Sequence, residues 1–317
     1  MEYYIAFWNV ENLFDVVDSP QRSDKLNRVL KNELKGWTAD ILEKKLDQLA
    51  KVIRYMNSGL GPDLLGVCEV ENVFVLELLV AKLADLNRPY KIAHDDSQDE
   101  RGIDVAFIYD SNLFTAQEKF SHYIQKRTAT RDLFQVNFRI SEDKQLIVIG
   151  NHWPARAGGQ YSSEPYRMMA GETLAYFHER IREILGKDVA ILAMGDFNDE
   201  PFNRSLSEYA QAEQTRPKVT RAQSAKFLNL MWPLYGNGAG SYYFENDPLI
   251  LDQFLVSKGL ITGNSGIKAE TDSAGIVLFP EMVNTGTYPV PLRFDRGKNV
   301  NVNGFSDHFP VFMKLKS

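Results

Sequence analysis

Short apolar runs alternate with helical patterns along most of this chain. The runs that predict strands are residues 3–9, 63–69, 103–109, 133–140, 145–151, 189–195, 249–257 and 309–315. Within residues 134–140 apolar and polar positions alternate, which is typical of a half-buried antiparallel strand. This order predicts one domain with α/β layers, in which the sheets are mostly mixed or antiparallel.

Three helices are predicted between these strands. In the first, apolar residues recur on one helical face from Leu42 to Met56, with Thr38 expected as the N-cap and Gly59 as the stop. The second is expected over roughly 72–86 and the third over roughly 165–185. The polar, glycine-rich stretch 259–303 is expected to form loops and a hairpin.

The composition is that of an ordinary globular chain. It has 317 residues, of which 44% are hydrophobic and 25% charged, so residues 1–317 are expected to form a single domain. No run approaches the roughly 20 apolar residues of a membrane span. The net charge of −6 argues against a general nucleic-acid coat protein but leaves open an enzyme acting on phosphates. The one cysteine, Cys68, excludes an internal disulfide.

The N-terminal residues show no signal-peptide pattern, because an apolar run begins almost at once at Tyr3. A cytoplasmic protein fits this start. So does a secreted or periplasmic protein whose signal has been removed, and the sequence leaves both open.

Short polar segments lie at the ends of the predicted strands. They contain Asn9 and Glu11, Glu69, His152, Asp196 and Asn198, Asp252, and Asp307 and His308. Each one alone also fits a turn or a cap, since Asn and Asp favour turns. Because the end of one antiparallel strand lies beside the start of the next, all six segments could meet at one sheet edge, where α/β enzymes hold their chemistry. Such side chains bind divalent cations and transfer protons.

In that order along the chain, these motifs resemble the endonuclease/exonuclease/phosphatase superfamily, most closely its deoxyribonuclease I-like subgroup. The resemblance spans nearly the whole chain and rests on the full set, since any one motif is weak. It implies an α/β (α+β) four-layer sandwich, in which two central mixed or antiparallel β-sheets are flanked by helices. It also implies hydrolysis of phosphoesters with Mg²⁺ or Mn²⁺.

The resemblance also implies roles for the matching residues. Glu69, Asn9 and Asp307 are expected to bind the metal, with help from Glu11, because hard oxygen ligands suit Mg²⁺ and Mn²⁺. Asp196 is expected to orient or deprotonate the attacking water, and Asn198 to donate to a phosphate oxygen. His308 is expected to contact the phosphate or act as an acid–base group. Asp252 would orient His308 and raise its pKa.

His152 matches the second catalytic histidine of the deoxyribonuclease I-like subgroup, and Glu100 matches the glutamate that partners it. Arg101 and Arg131, each just before a strand, resemble phosphate-contacting arginines; surface charge is the alternative for both. The segment from His152 to Gln160 departs from deoxyribonuclease I, and its Arg156 and two glycines are expected to approach a phosphate.

Three functions follow. The first is an endonuclease that hydrolyses nucleic-acid phosphodiesters by in-line attack of water. The second is a phosphatase or a sphingomyelinase-like phospholipase acting on a small or lipid phosphoester, for which residues 276–283 are the candidate membrane hairpin. The third is a non-catalytic binding protein on the same fold. No paired aromatic stretch identifies a stacking platform for a single strand.

Overall fold

The computed structural model describes residues 1–97, 99, 101–284 and 289–317. Its strands are β1 (Glu2–Leu13), β2 (Leu64–Val70), β3 (Tyr90–His94), β4 (Asp104–Asp110), β5 (Thr115–His122), β6 (Leu133–Ser141), β7 (Lys144–His152), β8 (Ala190–Asp196), β9 (Ala212–Glu213), β10 (Phe227–Asn229), β11 (Tyr242–Phe244), β12 (Asp247–Leu249), β13 (Asp252–Ser257), β14 (Lys268–Ile276) and β15 (Val311–Lys316). Its α-helices are α1 (Asp24–Leu30), α2 (Ala39–Tyr55), α3 (Val73–Lys82), α4 (Gln160–Leu185), α5 (Arg216–Thr220) and α6 (Lys258–Thr262).

Two large mixed sheets form the centre of the molecule. The first has the order β14-β15-β1-β2-β4-β3, and the second has the order β5-β6-β7-β8-β13-β10-β9. The pairs β1–β2 and β7–β8 are parallel, whereas β15 and β13 run antiparallel to β1 and β8. The predicted mixed sheets are therefore confirmed.

Alternate residues of each central strand face different layers. Phe7 on β1 packs with Met194 on β8 between the two sheets, while the neighbouring Trp8 packs toward α2 and α3. On the far side, Ile191 of β8 packs against Leu174 of α4. The layers are thus helices, sheet, sheet and helix, as the four-layer sandwich predicts.

The predicted helices form, with changes at their ends. Thr38 caps α2 as predicted, because its hydroxyl accepts from the backbone of Ile41 at 3.3 Å. The α-helical part ends at Tyr55, and a 3₁₀ turn continues to Gly59. Helix α3 likewise ends at Lys82, before a 3₁₀ turn, whereas α4 begins at Gln160, earlier than predicted.

The stretch 259–303 is more regular than its composition predicts. Its segment β14 pairs with β15 as the edge strand of the first sheet, so the expectation of loops and a hairpin is wrong there. The predicted strand 249–257 is divided between β12 and β13. Arg22, in the segment between β1 and α1, is buried and ion-paired with Glu71 at 2.5 Å.

Candidate active site

Three neighbouring strands bring acidic and imidazole side chains to one rim of the second sheet. His152 at the end of β7 lies beside Asp196 at the end of β8 in the parallel register. Asp252 at the start of β13 lies on the other side of Asp196, in the antiparallel register. The strand register alone therefore places these three residues side by side.

The first sheet supplies the opposite wall through two irregular strand ends. The pairing of β1 with β2 shifts between Asn9 and Leu13, and the pairing of β2 with β4 shifts between Cys68 and Val70. Glu69 has a φ of 65° and Glu11 a φ of 52°, values that are uncommon for residues other than glycine. Bulges of this kind turn side chains out of the regular alternation and are common beside active sites.

Asp196 lies at the centre of the site and is almost completely buried. Its Oδ2 accepts from Asn9 Nδ2 at 3.1 Å, and its Oδ1 accepts from the Asn198 backbone N–H at 2.9 Å. His308 Nε2 and His152 Nε2 lie 3.8 and 3.9 Å from Oδ2. Burial raises the pKa of Asp196 to about 6, so the carboxylate is a base suited to neutral pH.

His308 forms a second unit with Asp252. The His308 Nδ1 and Asp252 Oδ2 atoms are 2.7 Å apart, and the Trp8 indole N–H donates to the His308 carbonyl at 2.7 Å. Burial by itself would lower the pKa of His308. The charges of Asp252 and Asp196 outweigh that effect and raise the pKa well above its usual range. The imidazole is therefore positively charged at neutral pH.

Replacing Asp252 with asparagine should lower the pKa of His308, because the anion that offsets burial is then lost. At pH 7 the ring should change from imidazolium to neutral imidazole. NMR of the His308 ring nitrogens across a pH series measures this directly. Asp188→Asn serves as the control, because Asp188 is exposed and lies two residues before β8. This variant should leave the titration of His308 unchanged. An unshifted titration in Asp252→Asn would contradict the assigned pairing.

His152 has the opposite electrostatic character. Burial lowers its pKa well below the usual range, and the charges of Arg131 and Arg101 lower it further, so the ring is neutral. Its Nε2 lies 3.7 Å from Glu69 Oε1, and its Nδ1 has no hydrogen-bond partner within residues 1–97, 99, 101–284 and 289–317. The predicted partner, Glu100, lies outside the described residues, so that pairing stays a prediction.

The oxygen ligands predicted for a metal lie on the same side of the cleft. Asn9 Nδ2 is 3.3 Å from Glu69 Oε1, and Glu69 Oε2 accepts from the backbone of Asn12 at 3.0 Å. Burial and the charges of Glu11 and Glu69 raise the pKa of Asp307 to about 7, because negative charge accumulates there. A hard divalent cation fits this oxygen-rich, electronegative position.

Glu11 faces a different set of partners. Its Oε1 accepts from Arg293 Nε at 3.1 Å, and its Oε2 accepts from the backbone N–H of Phe294 at 3.0 Å. Arg293 Nη2 also lies 3.2 Å from Asp307 Oδ2. Glu11 therefore fixes the segment around Arg293 beside Asp307, and its expected help to the metal stays a prediction.

A second arrangement of possible ligands is present, since atoms of Asp196, Asp252 and His308 lie within 4.8 Å of one another. His308 already holds a short ion pair with Asp252 through Nδ1. A cation at these three residues would compete with the charged imidazole, and their expected role in proton transfer stays a prediction.

The three predicted phosphate-binding arginines differ in access. Arg101 and Arg156 line the cleft, and Arg156 Nε donates to the Asn198 carbonyl at 2.8 Å. Arg131 is buried. Its Nη1 lies 3.3 Å from Asp99 Oδ2, and its Nη2 donates to the Trp153 carbonyl at 3.1 Å. Its contact with a phosphate thus stays a prediction that would require rearrangement.

These side chains surround a cleft of about 610 Å³. Part of its wall was not predicted: Tyr242, Phe244 and Leu249 of the β11–β12 hairpin. The Tyr242 ring centroid lies 4.8 Å from that of His308. The hairpin turns at Glu245 and Asn246, both with positive φ, as a two-residue turn requires. The aromatic run beside this turn is the sequence signal that would have identified it.

The fold and this cleft define a phosphoester-hydrolase architecture, and comparison with known families agrees. The model of the Endonuclease/Exonuclease/phosphatase family matches residues 4–317, so the chain belongs to that family. A search of curated protein sequences found no significant match. No helix in the described ranges is long and apolar enough to cross a membrane.

Solved structures share the fold at low sequence identity. Humanized D. rerio TDP2 is 11% identical with a TM-score of 0.61, covering 100% of this chain and 99% of that one. The human Nocturnin catalytic domain is 16% identical with a TM-score of 0.57, covering 99% and 94%. A mannosyl-6-phosphatase of Bacteroides thetaiotaomicron is 16% identical with a TM-score of 0.56, covering 99% and 100%.

Proposed function

We propose that this protein is a divalent-metal-dependent phosphoesterase, and that its substrate is a nucleic-acid phosphodiester cut by in-line attack of water. One observation carries the proposal. A buried carboxylate with a raised pKa, Asp196, lies between the charged imidazole of His308 and the neutral imidazole of His152 in a cleft lined by arginines. We further propose that residues 1–317 act as one domain.

The reaction needs a base, a charge clamp and an acid, and the chain offers a residue for each. Asp196 takes the proton from the attacking water. Asn198, whose Nδ2 is oriented by the Trp153 carbonyl at 3.0 Å, donates its remaining N–H to a phosphate oxygen. His308, held by Asp252, contacts the phosphate as imidazolium and protonates the leaving oxygen. His152 orients the phosphate from the opposite side as a neutral ring.

Glu69, Asp307 and Asn9 are the residues that would hold Mg²⁺ or Mn²⁺. When bound, such an ion neutralises charge on the phosphate and lowers the barrier to attack. Arg101 and Arg156 add positive charge at the mouth of the cleft, and 41% of the Arg101 side chain is exposed there.

A small phosphoester is the second candidate. Its support is the bounded cleft of about 610 Å³ with the apolar wall at Tyr242 and Phe244, which suits one compact group. The lipid variant of this idea has less support. Val277 and Met282 of its expected membrane hairpin are buried in the core, and the Phe279 ring packs against that of Phe305.

The deciding experiment tests one protein preparation on two classes of substrate, nucleic acid and small or lipid phosphoesters. With Mg²⁺ or Mn²⁺ present, we expect the purified protein to nick supercoiled plasmid and the Asp196→Ala variant to leave it intact. A panel of sugar phosphates, nucleotides and sphingomyelin is assayed in parallel for release of phosphate or of the phosphorylated headgroup. Turnover of that panel with neither plasmid nicking nor cleavage of single-stranded DNA would replace the nuclease assignment with the second candidate.

A further inference from the structure

Two exposed aromatic rings meet outside the cleft. Phe202 is 42% exposed and Tyr235 is 44% exposed, and their ring centroids are 5.1 Å apart at an interplanar angle of 53°. Trp232 packs edge-on against Tyr235 at 6.1 Å and supports it from behind. Phe202 and Tyr235 are called the aromatic platform below.

The platform lies at the same rim as the proposed catalytic residues. Phe202 belongs to the segment that leaves β8 after Asp196, and Tyr235 to the segment that leaves β10 after Asn229. Since β10 is antiparallel to β13, its C-terminal end lies at the end of the sheet where β13 begins with Asp252. Two segments that are distant in sequence therefore place their rings together beside the site.

Hydrogen bonds of Asn203, the residue after Phe202, join the segment that carries Phe202 to the cleft wall. Arg156, which lines the cleft, reaches Asn203 Oδ1 through Nη2 at 3.3 Å and the Asn198 carbonyl through Nε at 2.8 Å. Asn203 follows Phe202 in the chain, and its Oδ1 also accepts from the Glu200 backbone at 2.7 Å. The segment that carries Phe202 is thus held against a residue of the cleft wall.

Charge beside the platform does not favour a phosphate there. The guanidinium of Arg204, two residues after Phe202 in the chain, pairs with Glu208 at 3.0 Å. The carboxylate of Glu200 lies 3.9 Å from Arg156 Nη2. Phe202 and Tyr235 themselves are partly exposed, and aromatic rings bind planar rings by stacking.

We propose that the aromatic platform binds unpaired bases of a single-stranded nucleic acid whose backbone phosphate lies in the cleft. A base paired inside a duplex does not present its face, so the platform selects single strands or frayed ends. This proposal rests on the proposed function, because it gives that function its substrate form. Stacking is sequence-tolerant, since every base has a π-face.

Binding is measured by fluorescence anisotropy with labelled dT12 and with a 12-mer of abasic units, which keeps the phosphates and lacks the bases. The protein carries Asp196→Ala so that the probe stays intact in Mg²⁺. We expect dT12 to bind tighter than the abasic probe. Phe202→Ala and Tyr235→Ala should each weaken dT12 binding by at least about fivefold, the lower end of the stacking range. Neither alanine variant should change the affinity for the abasic probe or the salt dependence of binding.

Matched variants test the role of the rings. Phe202→Tyr and Tyr235→Phe keep a ring and should retain dT12 affinity. Tyr176→Ala removes a 55% exposed tyrosine on α4 that also contacts a neighbouring ring, and it should leave affinity unchanged. Equal binding of dT12 and the abasic probe, or full affinity in both alanine variants, would overturn the proposal. If Phe202→Ala and Tyr235→Ala weakened binding to sphingomyelin vesicles and left dT12 affinity unchanged, the proposal would also be overturned.

A separate readout distinguishes this proposal from the proposed function. Turnover of bis(p-nitrophenyl) phosphate by the otherwise wild-type protein reports the cleft alone. It should be unchanged in Phe202→Ala and Tyr235→Ala while cleavage of single-stranded DNA falls. Absence of any phosphodiester turnover would overturn the proposed function. Normal turnover with unchanged cleavage of single strands would overturn only the platform.

Discussion

Asp196→Ala should lower turnover by about 10²–10⁴-fold, the range for loss of a positioned acid–base group. No other residue takes over the role of Asp196 as base in the proposed chemistry. The neighbouring His152 has a lowered pKa and is neutral, but its Nε2 faces Glu69. His308→Ala should cause a loss of similar size, since the leaving oxygen then lacks its proton donor. Steady-state kinetics on plasmid or bis(p-nitrophenyl) phosphate measure both.

The pH profile gives an independent check on these roles. Because burial raises the pKa of Asp196 to about 6, the base is protonated and inactive below that pH, so kcat/KM should rise as the pH increases through it. The raised pKa of His308 keeps this ring protonated over the same range. Asp188→Ala is the control, and circular dichroism should show an intact fold in all variants. Activity that survives both Asp196→Ala and His308→Ala would refute the site assignment.

Removal of divalent cations should abolish hydrolysis. The cluster of Glu69, Asp307 and Asn9 collects oxygen ligands and negative charge where a phosphate must bind, and only a cation reverses that field. EDTA should therefore stop the reaction, and Mg²⁺ or Mn²⁺ should restore it. Hydrolysis that persists in EDTA would indicate a different chemistry.

Glu69→Gln localises this requirement. This substitution should lower the affinity for the metal by at least roughly 10–100-fold, the range seen when groups that only orient metal ligands are lost. Titration of activity against Mg²⁺ and calorimetry of Mn²⁺ binding measure the change. Glu77→Gln, an exposed glutamate on α3, is the matched control. An unchanged Mn²⁺ affinity in Glu69→Gln would remove Glu69 from the ligand set.

Local signals in the sequence were enough to predict most of the scaffold. Strand runs are short-range patterns of burial, so β2, β4, β6, β7 and β8 lie close to their predicted bounds. The N-cap of α2 at Thr38 is equally local, because it depends on residues three positions apart. The order of the polar segments at strand ends was sufficient to identify the family later matched over residues 4–317.

Features that depend on long-range contacts could not be predicted. The contact of Glu11 with Arg293, 282 positions away, has no local signal in the sequence, and the help expected of Glu11 to the metal stays a prediction. Arg131 is predicted to contact a phosphate, with surface charge as the alternative, but it is buried, with Asp99 and the Trp153 carbonyl as its partners. The bulge that turns Glu69 toward the cleft depends on strand pairing rather than on local preference.

The sequence by itself determined which residues form most of the central strands, where α2 begins, and which polar groups lie at the strand ends, since burial and capping act over a few positions. Only the tertiary structure decided which of those groups share a cleft and which form structural pairs. It also brought Phe202 to Tyr235, two rings 33 positions apart with no common local pattern. Contacts between residues that are distant in sequence form only when separate segments pack against each other, because packing removes both contact surfaces from water at once.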